Sequence, residues 1–256
     1  MVTYLLKKSY QLRDLKEIEF KDLWGDNGVF TTMWIYHSPH RILFFNEHIK
    51  NLIKSLKHYK IFKPNIKSKI LALIKINLDP KRKYNHLLRV ALNKNIISIS
   101  LRKRIKPKLN FNLKLVNLKR NKPEFKNLKY KEILSYLSKM DNSKSDIGLC
   151  SNKKIYETGT SNIFFIKDNK VFSPKKNYYK GITYKFFNSK IKKIIQKDIL
   201  VSSLEKFDEI ILVGSGKGVA SVKTINQINW KRKSLKYFKL LNNHYSLAIK
   251  QCAKYK

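Results

Sequence analysis

Two short stretches of the 256-residue chain hold residue types that can do chemistry. In "YETGTSNIFFIKDNKVFSPKKNYYKGIT", Tyr156 to Thr183, Glu157 is an isolated acid in front of an apolar strand, in a chain otherwise saturated with lysine. The same stretch ends in Gly181-Ile182-Thr183 at the start of a helical pattern. Backbone N–H groups and a hydroxyl at a helix start form an anion cradle. A second turn, "GSGKG", offers Ser215 and Gly216 for a similar contact through amides and a hydroxyl. Such turns also occur as plain helix caps, so their weight comes from their order along the chain.

The elements that must position these residues read as follows. Short β-branched and aromatic runs at "GVFTTMWIY", "HLLRVALN", "IISISLR" and "FNLKLVNL" are strands bounded by turn residues. Between them, Ile49, Leu52, Ile53 and Leu56, and then Ile66, Ile70, Leu73 and Ile74, recur at helical spacing. The polar stretch from Lys119 to Asn127, with Pro123, is the linker. After it come a helix at "YKEILSYLSKM", strands at "DIGLC", "IYETGTSNIFFIK" and "VFSP", helices at "ITYKFFNSKIKKIIQ" and "SLEKF", and a strand at "DEIILVG". The expectation is an α+β protein with an N-terminal domain over 1–118, a linker over 119–127 and a C-terminal domain over 128–256.

In order, Glu157, Ser161, Asn162, Ile163, Phe164, Pro174, Gly181, Ile182 and Thr183 resemble the signature of the fold-type IV pyridoxal-phosphate enzymes, the class IV aminotransferase family. "GVFTT", "HIKNL", "LLRVAL" and "FDEIILVGSGKGVASV" resemble further segments of that family, so the likeness spans nearly the whole chain. The resemblance implies a two-domain α+β fold, an N-terminal α/β sandwich followed by a C-terminal pseudo-barrel. It also implies pyridoxal 5'-phosphate as cofactor and a homodimer.

By that resemblance Lys129, in "NLKYKEIL", supplies the amine that bonds the cofactor, with Lys126 and Lys131 as rivals. Glu157 pairs with the pyridine nitrogen, and Gly181, Ile182, Thr183, Ser215 and Gly216 hold the phosphate. The family's phosphate-binding arginine is Asn51 here, leaving Lys50 or Lys54 to supply charge without the planar fork of arginine. Tyr184 stands where the family has arginine and Ser221 where it has proline. Among the activities, the spacing leans towards aminodeoxychorismate lyase, which releases pyruvate from 4-amino-4-deoxychorismate to leave 4-aminobenzoate in folate biosynthesis. Thr31 or Thr32 could lend a hydroxyl. The alternatives are a branched-chain or D-amino-acid aminotransferase, or a relative that has lost catalysis.

The charge of +39, from 56 basic and 17 acidic residues, comes with lysines spread over every segment. That pattern is compositional drift towards Lys, Asn and Ile rather than a selected nucleic-acid face, for which "KRK" and "LRKRIKPK" would be the sites. The field still attracts anions such as phosphorylated cofactors and dicarboxylate substrates. His37 and His40 sit on a turn, and none of the six histidines forms a metal set. Cys150 and Cys252 are read as free thiols of a reducing compartment. No stretch reaches the roughly 20 apolar residues of a spanning helix, so a cytoplasmic protein is expected.

Overall fold

The computed structural model describes residues 3–61 and 64–255 and divides into two compact units. The first comprises Met1–Arg104, Phe125–Lys131 and Cys252–Lys256, and the second Ile105–Glu124 and Glu132–Gln251. Both mix helices and sheet, so the chain is α+β.

The first unit contains β1 (Tyr4–Gln11), β2 (Glu17–Ile18), β3 (Val29–His37), β4 (Arg41–Ile42), α1 (Phe45–His58), α2 (Ile66–Asn77), β5 (Tyr84–Leu92) and β6 (Ile96–Lys103). Its antiparallel sheet runs β2-β1-β6-β5-β3-β4. Side chains alternate across a strand, so one face takes Val29, Met33, Ile35, Leu88, Val90, Leu92, Ile97, Ile99 and Leu101. Against it lie Ile49, Leu52 and Leu56 of α1 and Ile66, Ile70, Leu73 and Ile74 of α2, the helical stripes read from the sequence. Each fully buried Leu or Ile here contributes about 1.5–3 kcal/mol relative to exposure.

The second unit contains β7 (Phe111–Asn117), α3 (Lys131–Ser138), β8 (Ser145–Ser151), β9 (Lys154–Thr158), β10 (Asn162–Lys167), β11 (Lys170–Pro174) and α4 (Ile182–Lys190). It continues with β12 (Ile194–Lys197), a 3-10 turn over Val201–Lys206, β13 (Glu209–Gly214), β14 (Gly218–Ile225), β15 (Trp230–Lys231) and α5 (Lys236–Lys250). The sheet runs β12-β11-β10-β13-β14-β7-β8-β9, with β15 on β14. β9 returns against β10 and β11, so the sheet curls on itself around Phe111, Ile155, Ile163, Phe165, Leu212 and Val222.

The division differs from the expected one. β7, placed in the N-terminal domain by its position before the polar stretch, pairs in parallel with β14 and β8 and so belongs to the second sheet. The expected linker is itself split: Phe125–Lys131 pack with the first unit, where Val29 bridges Asn127 and Phe30 N donates to Lys126 O at 3.0 Å. The helix expected from Ile182 to Gln196 stops at Lys190, and Ile194–Lys197 instead pair with β11. The helix expected at "SLEKF" is present as a 3-10 helix over Val201–Lys206. No described helix is long and apolar enough to cross a membrane.

Candidate active site

Glu157 lies on β9, where strand alternation turns it into the curled sheet and leaves it 6% exposed. Its carboxylate is gripped by Arg120: Nε donates to Oε1 at 2.7 Å and Nη2 to Oε2 at 3.1 Å. Arg120 Nη2 also donates to Pro123 O at 2.6 Å, and the Tyr179 amide to Glu157 Oε2 at 3.4 Å. Both ends of the pair are buried, and the two hydrogen bonds from the Arg120 guanidinium offset the cost of burying the Glu157 carboxylate, which accepts them. Sequence reading missed Arg120. It sits 37 positions from its partner inside a stretch that reads as linker, and its one signal is being arginine among lysines.

The Gly181-Ile182-Thr183 turn forms the start of α4, as expected. Gly181 N donates to Asn162 Oδ1 at 3.0 Å, and a Cβ at Gly181 would meet that oxygen at 2.8 Å, so a larger residue would displace the Asn162 side chain. No side chain caps the helix. The Thr183 hydroxyl is buried and has no hydrogen-bond partner among the described residues. An orphaned hydroxyl beside uncapped helix amides is costly unless a ligand completes it.

Ser215 and Gly216 occupy the turn of the β13–β14 hairpin, closed at Gly214 opposite Gly218. Gly214 abuts Ser161, where a Cβ would fall 2.9 Å from Oγ, and Ser161 precedes the Asn162 that orients Gly181. The two turns are thereby tied to the same β9–β10 corner. Lys217, from the second turn, donates to Thr160 Oγ1 at 3.0 Å and pairs with the fully buried Asp146 at 3.4 Å, another cation that sequence reading passed over.

Tyr184 is buried in a hydroxyl network instead of occupying an arginine's exposed role. Its OH lies 3.2 Å from both Ser173 Oγ and Tyr178 OH, and its ring packs on Phe164. Burial pushes the Tyr178 phenol up, and its hydrogen bond to Tyr184 adds to that.

In the first unit, alternation separates the two threonines. Thr31 faces α1 and hydrogen-bonds His48 Nδ1 at 2.8 Å; Thr32 faces the other way. Burial pushes the His48 imidazole down to about 3, and the nearby Lys126 charge adds to that, so the ring is neutral. Lys126 is half-buried with Nζ 5.0 Å from the Phe30 ring centroid. Lys129 is exposed, and its Nζ donates to Gly25 O at 2.5 Å. Lys131 and Lys50 are exposed, and Asn51 is half-buried on α1.

The class IV aminotransferase family model matches residues 28–225, a span that includes every residue of both turns, Glu157 and the three lysines. The chain belongs to the class IV aminotransferase family. Class IV aminotransferases are pyridoxal-phosphate-dependent enzymes, and this chain shares their fold. The branched-chain aminotransferase of the archaeon Thermoproteus uzoniensis, crystallised with norvaline, superposes with a TM-score of 0.75 at 15% identity, covering 95% of each chain. A hypothetical aminotransferase from Mycobacterium tuberculosis in its PLP-bound form gives 0.72 at 14% identity, over 94% of this chain and 98% of that one. A candidate 4-amino-4-deoxychorismate lyase from Legionella pneumophila gives 0.67 at 18% identity, over 85% and 91%. Curated protein sequences return no match.

For a class IV aminotransferase, the residues present fit the cofactor. The orphaned Thr183 hydroxyl and the uncapped start of α4 at Gly181 suit a phosphate. Glu157, held ionised, suits a protonated ring nitrogen.

Proposed function

We propose that this chain is a pyridoxal-phosphate lyase that converts 4-amino-4-deoxychorismate into 4-aminobenzoate and pyruvate, with Lys126 as its reactive amine. The observation that carries the choice of substrate is the aromatic surrounding of that amine. Phe30, against which Lys126 rests, packs on Trp24 at 4.8 Å and on Tyr130 at 5.5 Å between centroids, and Trp24 and Tyr130 stack at 5.7 Å. Flat rings suit a cyclic substrate better than a branched aliphatic one.

Lys126 is preferred to Lys129 for two reasons. Its backbone is tied to β3, and its side chain is half-buried, which limits the conformations the amine can take. Lys129 is exposed and its ammonium is spent on a loop carbonyl.

When bound, pyridoxal phosphate supplies an electron sink for charge developing on the substrate carbon that bears the amine. Thr183 and the first amides of α4 would hold its phosphate, with Ser215 and Gly216 as a second contact. Glu157, kept ionised by Arg120, holds the proton on the pyridine nitrogen. Lys126 Nζ would take the proton from the amine-bearing carbon. Cleavage of the bond between the ring carbon and the ether oxygen then releases enolpyruvate with that oxygen and completes the aromatic ring, and Lys126 would return the proton to the enolpyruvate methylene carbon, giving pyruvate.

An aminotransferase acting on branched-chain amino acids is the second reading, favoured by the full-length superposition on the Thermoproteus enzyme. Product analysis separates them. Equimolar 4-aminobenzoate and pyruvate from 4-amino-4-deoxychorismate is the expected result. Glutamate formed from 2-oxoglutarate and leucine, without 4-aminobenzoate, would establish the aminotransferase. We also propose a homodimer working in a reducing compartment, where the free Cys150 and Cys252 remain thiols.

A further inference from the structure

Lysine is the residue that this chain spends most freely on its surface, yet among the described residues Lys217 is the one lysine that is buried. It is the last residue of the β13–β14 turn, directly before Gly218, whose φ of 73° closes the hairpin. Burying an ammonium is costly unless partners meet it. Here Nζ donates to Thr160 Oγ1 at 3.0 Å, lies 3.4 Å from Asp146 Oδ2, and sits 5.4 Å from the ring centroid of Phe111 on β7.

Asp146, on β8, is fully buried, and further donors converge on it. The Ile147 amide donates to Oδ1 at 2.8 Å, and the Thr158 and Thr160 hydroxyls donate to Oδ2 at 2.9 and 2.7 Å. Thr158 Oγ1 in turn accepts the Ser161 amide at 2.9 Å. The network therefore ties the tip of the β13–β14 hairpin to β8, across β7, and to the corner between β9 and β10. From that corner Asn162 orients Gly181 at the start of α4. A hairpin tip is ordinarily the mobile part of its hairpin. This one is anchored by a buried ion pair.

We propose that Lys217 and Asp146 are positioning residues for the cofactor phosphate, clamping the β13–β14 turn so that Ser215 and Gly216 hold their hydroxyl and amides ready for it. This role rests on the reading of that turn as the second phosphate contact. The Lys217 ammonium is occupied by Asp146 and Thr160, so it acts by fixing the turn and not by touching the phosphate. Donors fixed before the ligand arrives spare binding the cost of ordering them.

The test takes Lys217→Met, Asp146→Asn and the double variant as full cofactor-free chains and titrates each with pyridoxal phosphate and with pyridoxal, which lacks the phosphate, following absorbance. Each single change leaves a buried charge without its partner, so a lower thermal midpoint is expected, whereas the double variant buries no charge and should melt near the wild type. Restored stability does not restore the clamp. The double variant should bind pyridoxal phosphate roughly tenfold more weakly than the wild type and pyridoxal with unchanged affinity. The proposal is overturned if the folded double variant keeps wild-type affinity for pyridoxal phosphate, or if it loses affinity for both compounds equally. Ser215→Ala separates this from the reading beneath it. Full affinity of Ser215→Ala for pyridoxal phosphate would refute the phosphate contact and the clamp with it, while a weakened Ser215→Ala beside an unaffected double variant would refute the clamp alone.

Discussion

At the scale of single residues, Glu157 and Thr183 carry opposite kinds of information. Glu157 is buried with its counter-ion already in place, so removing that counter-ion leaves an uncompensated charge. Arg120→Met should therefore cost about 3–5 kcal/mol of folding stability, measured by urea denaturation of the cofactor-free chain. A loss within experimental error of zero would mean the pair is dispensable. Thr183 is buried without a partner, so the isosteric Thr183→Val should leave the cofactor-free chain as stable or about 1 kcal/mol more stable. The same change should weaken pyridoxal-phosphate binding roughly tenfold in a titration followed by absorbance. Unchanged affinity would show that the hydroxyl does not meet the phosphate.

At the scale of elements, α1 is fastened to β3 by apolar burial and by the Thr31–His48 hydrogen bond. The His48 ring stays neutral in the folded chain down to about pH 3, whereas unfolding returns it to its ordinary 6.5. The unfolded chain thus binds the proton first as pH falls, so this group's contribution is constant above 6.5 and declines from 6.5 towards 3. His48→Asn should flatten that part of the stability-against-pH curve, and the difference between the two curves isolates the histidine from the carboxylates. Equal slopes would place the acid sensitivity elsewhere.

The elements also show what could be read from the sequence. β3, β5 and β6 were legible as short apolar runs bounded by turn residues, and α1 and α2 because their apolar residues recur every three or four positions. The Glu157 strand and the Gly181 turn were legible through their order. What stayed hidden depends on partners distant in sequence. β7 looks like any half-buried strand until β14 and β8 claim it. β12 continues a helical pattern that pairing with β11 overrides. Arg120 is inconspicuous until the fold brings Glu157 to it. α5 was not anticipated, its apolar stripe being reduced to Leu241 and Tyr245 as buried residues.

At the scale of the whole molecule, the charge of +39 is a load on the fold. Most ion pairs among the described residues are exposed, and such pairs contribute little each, while the excess cations repel over distances that salt screens to about 8 Å at physiological strength. The thermal midpoint should rise as sodium chloride is added from low salt to physiological strength. A falling midpoint would mean that the ion pairs outweigh the repulsion.

Family membership and fold establish what kind of enzyme this is, and the choice of Lys126 over Lys129 is the claim on which its chemistry turns. The direct measurement is to load the chain with pyridoxal phosphate, reduce the lysine–cofactor bond with borohydride, digest the protein and locate the label by mass spectrometry. The expected result is one pyridoxyl-phosphate group, on Lys126. A label on Lys129, or none at all on a folded chain, would contradict it.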